Sequence, residues 1–197
     1  MKIYFEKITS ITQVFYLRFV LLTMIFFSLN TIPLKSQNNH KDEPVTVDSV
    51  DLNKYAGLWY EIAKIPNSFQ SKCDHNTTAE YKLRDDGKID VINKCIEKDG
   101  SVNVANGIAK VVDSKTNSKL EVSFVRILGI SLFWGDYWII GLDKDYKYAV
   151  IGTPTRKYGW ILSRTPKLSE SNLDTIFKLL LQQGYNPKDF QFTVQKY

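Results

Sequence analysis

The sequence predicts an all-β domain of antiparallel strands joined as hairpins, a barrel or a sandwich, followed by one helix. Three observations lead there. About eight segments between Gly57 and Arg164 alternate apolar with polar residues at spacings of roughly 8–12 residues, the pattern of hairpin-linked strands. Turn-forming clusters separate them, among them Asp85-Asp86-Gly87, Lys98-Asp99-Gly100 and Asp143-Lys144-Asp145. Beyond Ser169 the apolar period changes from strand-like to helical.

The elements follow in order. Asp51–Tyr55 is expected to form a turn of helix, with Leu52 and Tyr55 closing over the core. The stretch Gly57–Gln70 opens the strands: Trp59, Glu61, Ala63 and Ile65 oppose Tyr60, Ile62 and Lys64. A loop spans Pro66–Asp74. In Asn76–Leu83, Ala79, Tyr81 and Leu83 share one face; after the Asp86-Gly87 turn, Ile89, Val91, Asn93 and Cys95 alternate in the same way. Val102–Val112 is a long strand, and Leu120, Val122 and Phe124 continue after the turn at Asp113–Lys119. Ile127–Trp134 is apolar without a clear period and reads as a greasy loop. Tyr137–Leu142, Tyr146–Ile151 and Tyr158–Arg164 complete the strands. Leu173, Ile176, Phe177, Leu180 and Leu181 then fall on one helical stripe, with Ser169 as N-cap and Gly184 past the C-terminal end. Such a stripe needs an apolar partner, most simply the outside of the sheet. Phe190–Val194 is expected as a short edge strand.

Residues 1–36 read as a signal peptide. Lys2, Lys7 and Arg18 precede or flank the apolar run Phe19–Leu29, which is short of the ~20 residues of a membrane span. Cleavage after Ser36 is expected; an uncleaved anchor is the alternative. Residues 37–50 read as a linker, and 51–197 as the folded domain. Export to the periplasm or beyond the cell follows. Of 26 basic and 21 acidic residues, the leader holds four and one, so the rest of the chain is nearly balanced in charge. No nucleic-acid partner is expected on that ground. In an exported protein Cys73 and Cys95 read as a disulfide. The alternatives are free thiols, or a zinc site completed by Asp74 and His75, an irregular set for zinc. With two histidines, His40 and His75, and no nucleophile motif, no catalytic residue is assigned. No Gly-rich phosphate loop is present, and no cofactor is expected.

Three ordered blocks carry a family resemblance. They are Gly57-Leu58-Trp59-Tyr60-Glu61-Ile62-Ala63, then Gly135-Asp136-Tyr137-Trp138-Ile139-Ile140 with Asp145-Tyr146 and Tyr148-Ala149-Val150, then Trp160-Ile161-Leu162-Ser163-Arg164-Thr165-Pro166. Over residues 50–197 the chain resembles the lipocalins, most closely their bacterial and apolipoprotein D-like branch. The resemblance implies an eight-stranded up-and-down barrel, open at one end, with the helix outside. It implies that Gly57, Trp59 and Arg164 are structural, the arginine packing across the indole that plugs the closed end. It implies binding and transport of small hydrophobic ligands such as fatty acids or lysophospholipids, without enzymatic activity. Bacterial members are often outer-membrane lipoproteins; this chain has no cysteine before Cys73 to carry a lipid, so any outer-membrane association lacks that anchor.

An aromatic wall for such a ligand is expected from Tyr81, Phe124, Trp138, Tyr148, Tyr158 and Trp160, with plain core packing the alternative for each, because one slip of register exchanges the faces. Arg126 is a candidate for an anionic head group, with a solvated rim charge as the alternative. Ile127–Trp134 is a candidate membrane contact, lid or homodimer surface. A lipid-modifying enzyme or a protein-interaction module on the same barrel is the competing functional class.

Overall fold

A computed structural model describes residues 43–196. The expected signal peptide lies outside the described residues. Helix α1 is Leu52–Tyr55, nucleated by the Asp51 carboxylate, which accepts from the backbone N–H of Asn53 and Lys54. Gly57 then takes φ +93°, a region open to glycine, and turns the chain into the first strand. The strands are β1 (Gly57–Lys64), β2 (Cys73–Leu83), β3 (Ile89–Glu97), β4 (Val102–Val111), β5 (Lys119–Ser123), β6 (Val125–Ile127), β7 (Ile130–Leu132), β8 (Gly135–Leu142), β9 (Tyr148–Gly152), β10 (Gly159–Ser163) and β11 (Gln191–Phe192). Helix α2 is Glu170–Gln182, capped by Ser169 as expected.

Strands β1–β5 and β8–β10 pair in order, all antiparallel, and β10 returns to β1 through Tyr60–Lys64. The sheet is therefore a closed eight-stranded barrel. Its β1–β2 loop, β3–β4 turn and β9–β10 turn lie at one end, which we call the mouth. α1 and the β2–β3, β4–β5 and β8–β9 turns lie at the other, the floor.

Three expectations change. The greasy loop Ile127–Trp134 overlaps the hairpin β6–β7, with Leu128 and Gly129 at its tip, both at positive φ. Its three-residue strands are too short to print a period. The C-terminal strand is only Gln191–Phe192, yet the chain beyond it stays paired: Thr193 N–H donates to Ile62 O and Asn76 N–H to Val194 O. This segment fills the gap where β1, bulged between Glu61 and Ala63, leaves β2 to follow β10. The expected linker is the third. From Glu43 on it is packed rather than free: Val47 N–H donates to Ile139 O, Val50 N–H donates to Thr116 O, and Pro44 and Val50 are buried. Pro44, Val47 and Val50 recur every third residue, a small apolar stripe, while Val45 between them is exposed.

Two apolar clusters flank the barrel wall. The inner one holds Trp59, Tyr55, Tyr81, Val91, Ala109, Leu120, Ile139, Ile151 and Leu162. The outer one packs Ile62, Ala63, Ile140, Val150 and Ile161 against Ile176 and Leu180 of α2. Leu181, expected on the stripe, is exposed, and Leu179 packs instead. A disulfide joins Cys73 to Cys95 across β2 and β3 near the mouth, closing a separation of 22 residues. Constraining a loop of that length in the unfolded chain is worth about 3 kcal/mol.

Candidate functional site

The barrel interior is built in two storeys. At the floor the Trp59 ring is fully buried and its N–H donates to Tyr55 O at 2.8 Å. The Arg164 guanidinium lies 3.8 Å from the indole centroid. Its nitrogens donate to the carbonyls of Lys54, Tyr55, Ala56 and Leu58 at 2.6–3.1 Å. Several of these are the orphan carbonyls at the end of α1, so the cation both closes the barrel and caps the helix. Above the indole three phenols meet: Tyr137 OH lies 2.7 Å from Tyr55 OH and 2.8 Å from Tyr81 OH. Burial raises all three phenol pKa values, that of Tyr81 to about 12 and those of Tyr55 and Tyr137 well above the usual value.

The upper storey mixes apolar wall with a few polar groups. Tyr81 faces inward beside Val91, which pairs with Gly107. The Phe124 ring lies over Gly107: a β-carbon there would come within 2.7 Å of it. Glycine thus makes room for an aromatic at the mouth, and Phe124 remains part-exposed. Trp160 packs on the inner cluster and donates its indole N–H to Gln70 Oε1 at 2.9 Å. Tyr158 stacks on Trp160 at 6.2 Å and meets Phe69 at 5.1 Å, on the rim formed by the 3-10 turn Ser68–Gln70.

A polar set lies on the same inner face. Glu61, 3 % exposed, pairs with inward-facing Leu162. Its carboxylate accepts from Lys64 Nζ at 2.9 Å, Gln70 Nε2 at 2.6 Å and Thr193 Oγ1 at 2.6 Å. Thr77 is two residues from Ala79 on β2, and Ala79 pairs with Asn93. Thr77 Oγ1 and Asn93 Oδ1 are buried without a hydrogen-bond partner among the described residues.

The expected site residues divide accordingly. Tyr81, Phe124, Trp160 and Tyr158 lie on the inner wall or the mouth. Trp138 and Tyr148, expected in the wall, do not: both belong to the outer cluster, and Lys119 Nζ sits 3.9 Å over the Trp138 ring. The register sets this, because Ile139 pairs with Ile151 inside and Trp138 therefore points outward. Arg126 is exposed on the β6–β7 hairpin, its Nε–H donating to Gly129 O at 3.1 Å. The zinc alternative falls, since the two sulfurs are bonded to each other; His75 Nδ1 lies 2.9 Å from Asp74 Oδ2. Glu61, Lys64, Gln70, Thr77, Asn93 and Tyr137 were not singled out from the sequence, although Glu61 and Thr77 stand at even spacing from Trp59 and Ala79.

Comparison with known proteins agrees with this architecture. The chain matches the model of the lipocalin-like domain over residues 50–195. It is 37 % identical over 158 residues to temperature-induced lipocalin-1 of Arabidopsis thaliana, covering 79 % of this chain and 84 % of that one. It is 35 % identical over 150 residues to the outer membrane lipoprotein Blc of Escherichia coli K12, covering 76 % and 81 %. Among solved structures, insecticyanin of the tobacco hornworm Manduca sexta superposes with a TM-score of 0.61 at 22 % identity, over 75 % of this chain and 82 % of that one. With the closed barrel, the external helix and the arginine-capped indole, these matches establish that the chain belongs to the lipocalin family.

Proposed function

We propose that this protein is an exported carrier that holds a small hydrophobic ligand, such as a fatty acid or a lysophospholipid, in the upper storey of the barrel. The observation that carries the reading is the inner wall above the floor, where Val91, Phe124 and Trp160 supply apolar surface and only a few polar groups interrupt it. The floor is filled by Trp59 and three tyrosines, so the ligand is confined to the mouth side. Moving an acyl tail there is worth roughly 0.8 kcal/mol per methylene before ordering costs. In this reading Arg126, exposed on the β6–β7 hairpin, meets an anionic head group that remains outside. Both cysteines are oxidised, which removes the thiolate as a nucleophile and favours binding over turnover. The disulfide and the apolar leader favour the periplasm or the extracellular space.

The test is mass spectrometry of lipid extracted from the purified protein, with fatty acids and lysophospholipids then titrated against tryptophan fluorescence. A defined lipid and a saturable change that Trp160→Phe removes are expected. No extractable lipid and no saturable binding would favour an interaction module with a filled interior.

The β6–β7 hairpin supports a second part of the reading, contact with a lipid surface. Leu128 is 97 % and Phe133 82 % exposed, with Ile127 and Ile130 beside them and Arg126 adjacent. Co-sedimentation with anionic vesicles should fall several-fold in Leu128→Ser/Phe133→Ser. Unchanged co-sedimentation, or concentration-dependent dimers lost in the same variant, would assign the hairpin to self-association instead.

A further inference from the structure

The inner face near the mouth carries hydrogen-bonding capacity that the fold does not use. Thr77 is 5 % exposed and its hydroxyl has no partner among the described residues; the same holds for the buried Oδ1 of Asn93. The two sit on neighbouring strands, diagonally related through the Ala79–Asn93 pair. Such diagonal neighbours stand roughly 7–8 Å apart at the backbone and closer between side chains, within reach of one small polar group. Leaving buried polar atoms unpaired is costly, so a pair of them on one wall of a binding chamber points to something that pairs them when the chamber is filled. A third group points the same way. The three phenols at the floor hold three protons and make two hydrogen bonds among themselves, which leaves one O–H to donate. When Tyr55 donates to Tyr137 and Tyr137 to Tyr81, that proton is Tyr81's and stands next along the same wall, since Tyr81 follows Ala79 on the inner face of β2.

The chemistry of the missing partner follows from these groups. Asn93 Oδ1 can only accept, so the ligand must donate. Thr77 and the spare phenolic proton can donate, so a ligand that also accepts satisfies them. A hydroxyl does both, whereas an ester or ketone oxygen only accepts. A carboxylate or phosphate fits poorly, because the neighbouring inward charge is the Glu61 carboxylate, already matched by Lys64 at 2.9 Å. A second anion there would meet a balanced pair with no uncompensated cation.

We propose that Thr77 and Asn93 form an internal subsite for a neutral hydroxyl carried on the acyl chain, so that the protein selects hydroxylated lipids over plain ones. This rests on the carrier reading: the charged end stays at the mouth, near Arg126, and the chain hydroxyl docks inside. The subsite would discriminate by hydrogen bonding, which rejects an analogue lacking the group more strongly than an apolar wall rejects a small change of shape.

The test titrates the purified protein with stearic acid and with stearic acids hydroxylated at successive chain positions, read by tryptophan fluorescence. One hydroxyl position is expected to bind about tenfold more tightly than stearic acid, the effect of pairing a buried polar atom. Thr77→Val, which keeps shape, and Thr77→Val/Asn93→Leu should erase that preference while leaving the affinity for stearic acid within about twofold. A thermal melt of each variant checks its fold. Equal, saturable binding of all chains by the unaltered protein would overturn the subsite and leave the carrier standing. A preference that survives both substitutions would overturn it too, assigning the two atoms to solvent. Failure of every chain to bind would overturn the carrier reading and the subsite with it.

Discussion

Replacing Trp59 by alanine is expected to lower stability by about 4 kcal/mol, the cost of emptying a fully packed aromatic site. The ring is buried on all sides, so little of its environment can collapse into the space. It is also the surface on which Arg164 lies, 3.8 Å from the centroid, and its N–H is tied to Tyr55 O. Losing it exposes the floor of the barrel and leaves the guanidinium over a void. For a domain of this size the loss corresponds to a fall in Tm of roughly 8–16 °C. Trp59→Phe keeps an aromatic under the cation but removes the indole N–H, and should cost about 1–2 kcal/mol. Arg164→Lys removes the planar fork that reaches four carbonyls at once, and a single ammonium cannot replace it. Thermal melts followed by circular dichroism decide the matter. A loss below 1 kcal/mol for Trp59→Ala would mean that the indole is not the plug.

What the sequence could and could not convey follows from which faces the strands bury. The barrel strands bounded by Asp86-Gly87 and Asp99-Gly100 are wet outside and dry inside, so alternation placed Ala79, Tyr81, Ile89 and Val91 on one face correctly. Where α2 covers the outer surface, both faces are apolar. Tyr137-Trp138-Ile139-Ile140 then carries no alternation, and Trp138 could not be told from an inward aromatic; the same cover explains Tyr148. The helix itself was plain from its period and from Ser169, though its stripe rotates slightly, taking Leu179 and releasing Leu181. The polar row was hidden for the opposite reason. Glu61 and Thr77 look like solvent-facing residues by type, and the only hint otherwise is their even spacing from Trp59 and Ala79, which for Glu61 the pairing with Leu162 bears out. Gly107 gave no signal of its own, because the close approach it permits is made by Phe124, from a different strand end.

The three phenols at the floor make stability fall steeply in alkali. Burial raises the pKa of each in the folded chain, with Tyr81 at about 12, whereas an unfolded tyrosine ionises near 10. A folded-state value above the unfolded one gives stability that is fully present below about pH 10 and is lost as the pH rises through the folded value. Above pH 10 the unfolded chain releases protons that the folded chain keeps, and the unfolding free energy drops by about 1.4 kcal/mol per pH unit for each such group. Tyr81 alone then removes about 2 kcal/mol by pH 12, and Tyr55 and Tyr137 act in the same direction. Phenolate absorbance should therefore show these groups silent until the far-ultraviolet dichroism collapses, and then ionising together with unfolding. Tyr137→Phe separates the network from simple burial. It leaves Tyr55 OH and Tyr81 OH without their shared partner, at a cost of about 1–3 kcal/mol at neutral pH, and it lowers the alkaline slope by one proton. If Tyr55, Tyr81 and Tyr137 titrated near pH 10 with the fold intact, the floor would be open to water and the two-storey interior described above would be wrong.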